Sequence, residues 1–168
     1  HGGFLGVVLG TVIFAQKHKI PLLNIGDLVA IASPPGLFLG RLANFINGEL
    51  WGKPTTSEWG ILFPSRLAQT CPETWVGICR RPPPQLYEAF LEGFLLWGIM
   101  LTLVIFFKLL KRSGETIAVF LIGYGVSRLT VEIFREPDQQ FISLQNPNGF
   151  IFQITEVIGI SMGQVLSI

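Results

Sequence analysis

From Gly93 to Phe107 the chain carries no charge, and four other stretches of its 168 residues are nearly as bare. A helix that crosses a bilayer needs about 20 mostly apolar residues to span a core of roughly 30 Å. Residues 4–15 are apolar and end at Lys17, His18 and Lys19, which reads as the latter part of a span. Residues 20–40 hold one charge, Asp27, and three prolines, Pro21, Pro34 and Pro35. That stretch is long enough to cross, with a kink or break expected at the proline pair. Residues 85–107 are the third candidate, 116–134 the fourth and 149–168 the fifth; the fourth is uncharged until Arg128 and the fifth is interrupted by Glu156. The fold expected is an all-α polytopic membrane protein with about five transmembrane segments, as a single membrane domain over residues 1–168. The chain starts at His1, inside an apolar run, and reads as a fragment of a longer protein.

Composition agrees. Charged residues are 14% of the chain, against roughly 25% in an ordinary soluble domain. Hydrophobic residues are 49%, and the mean hydropathy is +0.53. These values exclude a disordered chain, a nucleic-acid binder with a strong basic patch and most soluble enzymes. A net charge of +1 selects no partner of either sign.

Basic residues set the orientation. The short connections at 16–19 and 108–115 hold Lys17, Lys19, Lys108, Lys111 and Arg112, which assigns them to the cytoplasm. The long connection at about 47–84 mixes Lys53, Arg66, Arg80 and Arg81 with Glu49, Glu58 and Glu73, and with the loop at 135–148 falls outside. It reads as a small extracytoplasmic cap with a short strand at Trp59–Phe63. Cys71 and Cys79 lie on the oxidising side, where they either pair or remain two thiols.

The informative residues are polar ones at the outer ends of the spans, because an ionisable group at membrane depth usually faces a cavity and marks function. In GRLANFINGELWG (40–52), Arg41 and Asn44 share a helical face, with Asn47 one step further and Glu49 near the interface. A guanidinium beside amides suits a phosphate, to which it donates two parallel hydrogen bonds. The plain alternative is a snorkelling arginine before a glycine turn. In YGVSRLTVEIFREPD (124–138), Tyr124, Arg128 and Glu132 form one stripe at i, i+4 and i+8, and Arg135 joins the same side. This pattern fits either a purely structural ion pair or a shared cavity. In PQLYEAFLEG (84–93), Gln85, Glu88 and Glu92 lie on one face, the carboxylates more suited to bonding Arg or Trp than to acid–base chemistry. His1, followed by Gly2 and Gly3, is either a base or phosphate ligand or a satisfied interfacial residue. No glycine-rich phosphate loop or HExxH is present, and no clustered aspartates suit a metal-dependent phosphotransferase. No metal or other cofactor is expected, and a lipid phosphate would have to be handled by arginines.

Taken in order, HGG, GRLANFINGELWG, PQLYEAFLEG and YGVSRLTVEIFREPD resemble the bacterial prolipoprotein diacylglyceryl transferases over nearly the whole chain. The resemblance implies a seven-helix inner-membrane enzyme whose active site faces the periplasm, with this chain lacking the first two spans, the start of the third and the very end. It implies transfer of the diacylglyceryl group of phosphatidylglycerol to the lipobox cysteine thiol of a prolipoprotein, as glycerol phosphate leaves. The implied partners are that lipid, the prolipoprotein signal peptide and the bilayer, with no nucleic acid. Arg41 then matches the arginine that holds the phosphatidylglycerol head group, with Asn44, Glu49 and Gly52 in the same block. Gln85, Tyr87 and Arg135 complete the substrate-binding set, and Tyr124, Arg128, Glu132 and His1 the catalytic one.

Two departures stand out. Ala43 replaces a usual glycine, and Pro82 stands where the family has a histidine, which makes His1 the better base. In this scheme Arg41 grips phosphate, Arg128 assists the leaving group and Glu132 orients Arg128. The rival reading is a lipid-binding or transport protein without chemistry, supported by Gly36 and Gly40 in a GxxxG pattern together with broken spans around a polar midplane.

Overall fold

The computed structural model describes residues 2–71, 75–132, 152–153 and 159–160. Its helices are α1 (Gly2–His18), α2 (Leu22–Ile46), α3 (Pro84–Phe107) and α4 (Glu115–Glu132). Of these, α2 and α3 are long and apolar enough to cross a bilayer, and α1 is a shorter apolar helix. The polarity of the bundle is inverted relative to a soluble domain. Leu39, Phe106, Phe107, Leu121 and Ile122 face outward, while Asp27, Gln85, Glu88, Glu92 and Arg128 are buried. That is the arrangement a hydrocarbon solvent selects, since it accepts leucine and phenylalanine and drives ionisable groups into the bundle.

The helix starts and stops follow local chemistry. Pro84 opens α3 in the first turn, where a missing N–H costs nothing. α1 gives way at Lys19 and α3 at Lys108, both with left-handed backbone (φ 54° and 55°). Basic side chains at these C-termini complement the helix dipoles. α2 runs unbroken through Pro34 and Pro35, where the sequence predicts a kink or break, and so carries Arg41 and Asn44 on its last turns.

Asp27, the lone charge of the second stretch, has a structural task. Its Oδ2 accepts the Gly114 N–H at 2.7 Å and its Oδ1 the Ile117 N–H at 3.0 Å. A carboxylate of α2 thus satisfies donors that the start of α4 leaves open, where the helix dipole favours negative charge. Beside it, Ser113 Oγ donates to Asn24 Oδ1 at 2.6 Å. Above this junction Ala30, Leu96 and Met100 form a small core, flanked by Ile31, Ile117, Val119, Phe120 and Tyr124.

The middle of α3 is widened into a π-helical segment, Ala89–Leu95, which packs against α2. The approach is close because Gly93 has no side chain. A Cβ built there would stand 2.6 Å from Phe38 Cβ and 2.8 Å from Phe38 Cα. Gly36 and Gly40, the GxxxG pair, have nothing within 4 Å of their built Cβ positions among the described residues. The helix contact is made by another glycine than the sequence pattern indicates.

Between α2 and α3 lies the cap. Cys71 and Cys79 are paired in a disulfide. The strand expected at Trp59–Phe63 is reduced to a single antiparallel bridge of Ile61 with Arg81, beside one of Thr55 with Arg80. The cap is organised around Arg81, which is buried and donates Nε to the Ala68 carbonyl (2.7 Å), Nη1 to Gly52 (3.0 Å) and Nη2 to Thr70 (3.0 Å). Its guanidinium also stands 5.8 Å from the centre of the Trp51 ring.

The fifth candidate span, 149–168, falls almost wholly outside the described residues. The four residues described there form a short antiparallel pair, Phe152 opposite Ile160 and Gln153 opposite Gly159. At these positions the backbone is extended rather than helical, in a segment rich in β-branched residues (Ile151, Ile154, Thr155, Val157, Ile158) that favour strands. The described residues therefore do not carry the count of five spans.

Candidate functional site

The helices alternate in direction, so the end of α2, the start of α3 and the end of α4 meet at the pole opposite the basic connections. The described candidate residues gather there. His1 and Arg135 lie outside the described residues.

Arg41 comes from α2, Glu88 and Glu92 from α3, and Arg128 from α4. Arg41 Nη1 is 3.0 Å from Glu88 Oε2, and its Nη2 is 3.4 Å from Glu92 Oε2. Arg128 Nη1 is 2.6 Å from Glu88 Oε1 and 3.5 Å from Glu92 Oε1. Each carboxylate therefore bridges both arginines, one oxygen to each, and the four groups close into a ring of alternating charge. Three helices meet in it. Glu132, one turn beyond Arg128 on α4, stands 3.6 Å from Arg128 Nη2, as its spacing requires. The carboxylates are sealed in, with side-chain exposures of 2% for Glu88 and 0% for Glu92; Arg128 keeps 10% and Arg41 18%. Removing one partner from such a buried ion pair costs about 3–5 kcal/mol, because the other charge is left uncompensated. Tyr124, one turn before Arg128, stacks on Phe120 at 5.9 Å, and its phenol lies in the field of Glu92, Arg128 and Arg41.

The loop after α2 is tied to the start of α3 by backbone. The Glu49 N–H donates to the Asn44 carbonyl at 2.9 Å across a turn in which Gly48 has φ 67°, a conformation glycine adopts without strain. The Glu49 carbonyl in turn accepts from Gln85 Nε2, and Gln85 is fully buried. The Gly52 N–H donates to the Pro82 carbonyl at 3.1 Å, while its own carbonyl accepts from Arg81. Of the residues singled out in the sequence, Arg41, Arg128 and Glu132 are brought into one cluster with Tyr124 beside it. Glu49 and Gly52 lie in the supporting loop and Gln85 in the first turn of α3, acting there through backbone groups and a buried amide. Glu49 and Tyr87 are exposed. The residues the sequence undervalues are Glu88 and Glu92. Their shared face was legible, but which cations they meet depends on two helices distant in sequence.

A ring of this kind can present N–H donors to an anion from two directions. Each guanidinium has five donors in a planar fork, more than the ring contacts use. No group of three or more His, Cys, Asp or Glu placed to hold a metal occurs among the described residues.

The profile of the prolipoprotein diacylglyceryl transferases matches residues 1–168. A phosphatidylglycerol–prolipoprotein diacylglyceryl transferase of Cereibacter sphaeroides is 52% identical over 168 residues, covering all of this chain and 57% of that protein. The protein of the same name from Ruegeria pomeroyi is 51% identical over 168 residues and covered over 56% of its length. That from Caulobacter vibrioides is 42% identical over 174 residues and covered over 53%. The chain thus spans a little over half the length of the curated relatives it matches. With a match over its full length and half its residues shared with such relatives, this chain belongs to the prolipoprotein diacylglyceryl transferase family of membrane proteins.

Proposed function

We propose that the protein carrying this chain transfers the diacylglyceryl group of phosphatidylglycerol to the thiol of a lipobox cysteine in a prolipoprotein, the first step of lipoprotein maturation. The names of the relatives support the substrates. The observation that carries the chemistry is the closed ring of Arg41, Glu88, Arg128 and Glu92 at one pole of the bundle. Residues 1–168 form one membrane domain of about five spans, with the cap at about 47–84. The protein sits in the bacterial inner membrane with the ring toward the periplasm, and the basic connections at 16–19 and 108–115 support that orientation.

The sulfur attacks the terminal glyceryl carbon that bears the phosphate ester. A C–S bond forms as the C–O bond breaks, and the electron pair leaves on the oxygen of glycerol phosphate. Negative charge grows on that leaving group, so pre-placed cationic donors in a partly dry site lower the barrier. Arg41 grips the phosphate and Arg128 assists departure, with Glu132 orienting Arg128 and Tyr124 beside it. A thiol of pKa about 8.5 needs help to lose its proton and react, and His1 or the field of the arginines supplies that help, Pro82 standing where the family carries a histidine. Asn44, Glu49, Gly52, Gln85, Tyr87 and Arg135 shape the lipid site. No cofactor takes part. For the non-catalytic rival, the GxxxG pair Gly36 and Gly40 makes no close contact among the described residues.

The test uses the full-length protein in detergent with phosphatidylglycerol and a lipobox peptide, followed by mass spectrometry of the cysteine. The expected result is a diacylglyceryl adduct formed with glycerol phosphate. Arg41→Ala should lower the rate about 10²–10³-fold, as for loss of one oxyanion donor. Arg41→Lys keeps the charge but loses the fork, and should restore little. An adduct formed at the wild-type rate by the Arg41→Ala, Arg128→Ala double variant refutes the roles of both arginines.

A further inference from the structure

We infer that Glu88 is a positioning residue that makes Arg41 and Arg128 a single anion receptor. The inference rests on the transfer reading above, in which these arginines meet the lipid phosphate. Arg41 and Arg128 stand on different helices and repel each other. What draws them to one place is a carboxylate with a guanidinium on each oxygen, at 3.0 Å and 2.6 Å. Glu92 makes the same bridge at 3.4 Å and 3.5 Å and is the looser brace. Glu88 is shut off from solvent, so water does not compete for its oxygens. It enters from the third helix, in the turn before the π-helical segment that packs on α2. The separation of the two forks is therefore set by Glu88, and Arg41 is held as well by its hydrogen bond to Glu92 Oε2, while further N–H donors on each remain for a phosphate. Charge adds a second consequence. Glu88 competes with phosphate for the arginines, so it positions them at the expense of affinity.

This gives a signature that a merely structural glutamate would not produce. In the full-length protein, Glu88→Gln keeps the shape and removes one negative charge. Phosphatidylglycerol should be retained at or above the wild-type level in native mass spectrometry, with KM unchanged or lower. Turnover should fall on the order of 10²-fold, the scale of a misplacement of about 1 Å. A fall in kcat without a rise in KM marks lost geometry rather than lost binding. Glu92→Gln should show the same pattern, but weaker. Glu88→Asp keeps the charge and shortens the reach by one methylene; it should also turn over slowly, and it decides the matter if Glu88→Gln fails to fold. Wild-type kcat in either Glu88 variant overturns the inference, as does lipid retention that falls in step with kcat. If the wild-type protein retains the lipid but forms no adduct, the transfer reading fails. Retention by Glu88→Gln at or above wild type then still supports the competition between Glu88 and phosphate, and lower retention removes it.

Discussion

Replacing Gly93 by alanine tests whether the α2–α3 contact sets the site. The added Cβ would stand 2.6 Å from Phe38 Cβ, 2.8 Å from its Cα and 3.0 Å from its N. Carbon atoms prefer separations of about 3.5–4.0 Å, so the shortfall is about 1 Å. The atoms in the way are backbone and Cβ, which no change of rotamer can move. Either α2 moves off by about that distance or the π-helical segment rearranges. Overpacking of this kind costs about 1–3 kcal/mol, which lowers Tm. Phe38 lies one turn before Arg41, and Glu92 is the neighbour of Gly93. The 3.4 Å contact of Arg41 with Glu92 would therefore stretch past 4 Å. A displacement on that scale costs about 10²-fold in rate. Full-length Gly93→Ala should show both losses, in thermal unfolding and in the transfer assay. Gly98→Ala makes the same change on the same helix with nothing within 4 Å of the new atom, and should leave both readouts at wild type or raise Tm. Wild-type Tm and turnover in Gly93→Ala would refute the claim that this approach fixes the ring.

Asp27→Ala should lower unfolding free energy by about 1–3 kcal/mol, because two N–H groups at the start of α4 lose a charged acceptor; Asp27→Asn, which still accepts, should lose less by thermal unfolding. Arg81→Gln should loosen the cap, leaving the carbonyls of Gly52, Ala68 and Thr70 without their shared donor, and limited proteolysis should cut within 53–80 faster than in wild type. Cys79→Ser opens a disulfide that spans a separation of 8 residues; a loop that short gives about 2–3 kcal/mol of chain-entropy stabilisation, so cap proteolysis should speed up while the spans, followed by circular dichroism, unfold at the wild-type temperature.

The helices were legible because membrane burial needs only composition and length. The third and fourth stretches, 85–107 and 116–134, differ by one or two residues from the ends of α3 and α4 as described. The second was read too short. By sequence it ends at 40 with a kink or break expected at the proline pair, yet the helix runs unbroken through Pro34 and Pro35 to Ile46, with close packing at Phe38 and Gly93. Individual site residues were legible where they share a helix, as Tyr124, Arg128 and Glu132 do. What joins different helices was not. Glu88 and Glu92 lie on one face by spacing alone, but that both meet Arg41 and Arg128 depends on pairings 40 and 51 residues apart in the chain. Arg81 was counted as one more loop charge. Nothing in its neighbourhood distinguishes an arginine in solvent from one that holds three carbonyls.

The ring also explains how a membrane protein can keep two arginines ready for an anionic lipid. A bare guanidinium pair would cost several kcal/mol per ion to bury and would attract any anion that reached it. With Glu88, Glu92 and Glu132 in place, two arginines face three glutamates and the cluster carries a formal charge of −1. Such a cluster does not draw a phosphate by net charge. It takes one only where the forks offer hydrogen bonds in the right directions, since a bidentate guanidinium–phosphate contact is directional as well as strong. In the proposed mechanism, selection of one lipid head group then comes from geometry held by carboxylates, and the arginines act together only while those carboxylates hold them. On that argument, substitutions at Glu88 should damage the reaction as severely as substitutions at Arg128, although in the proposed mechanism Glu88 never touches the substrate.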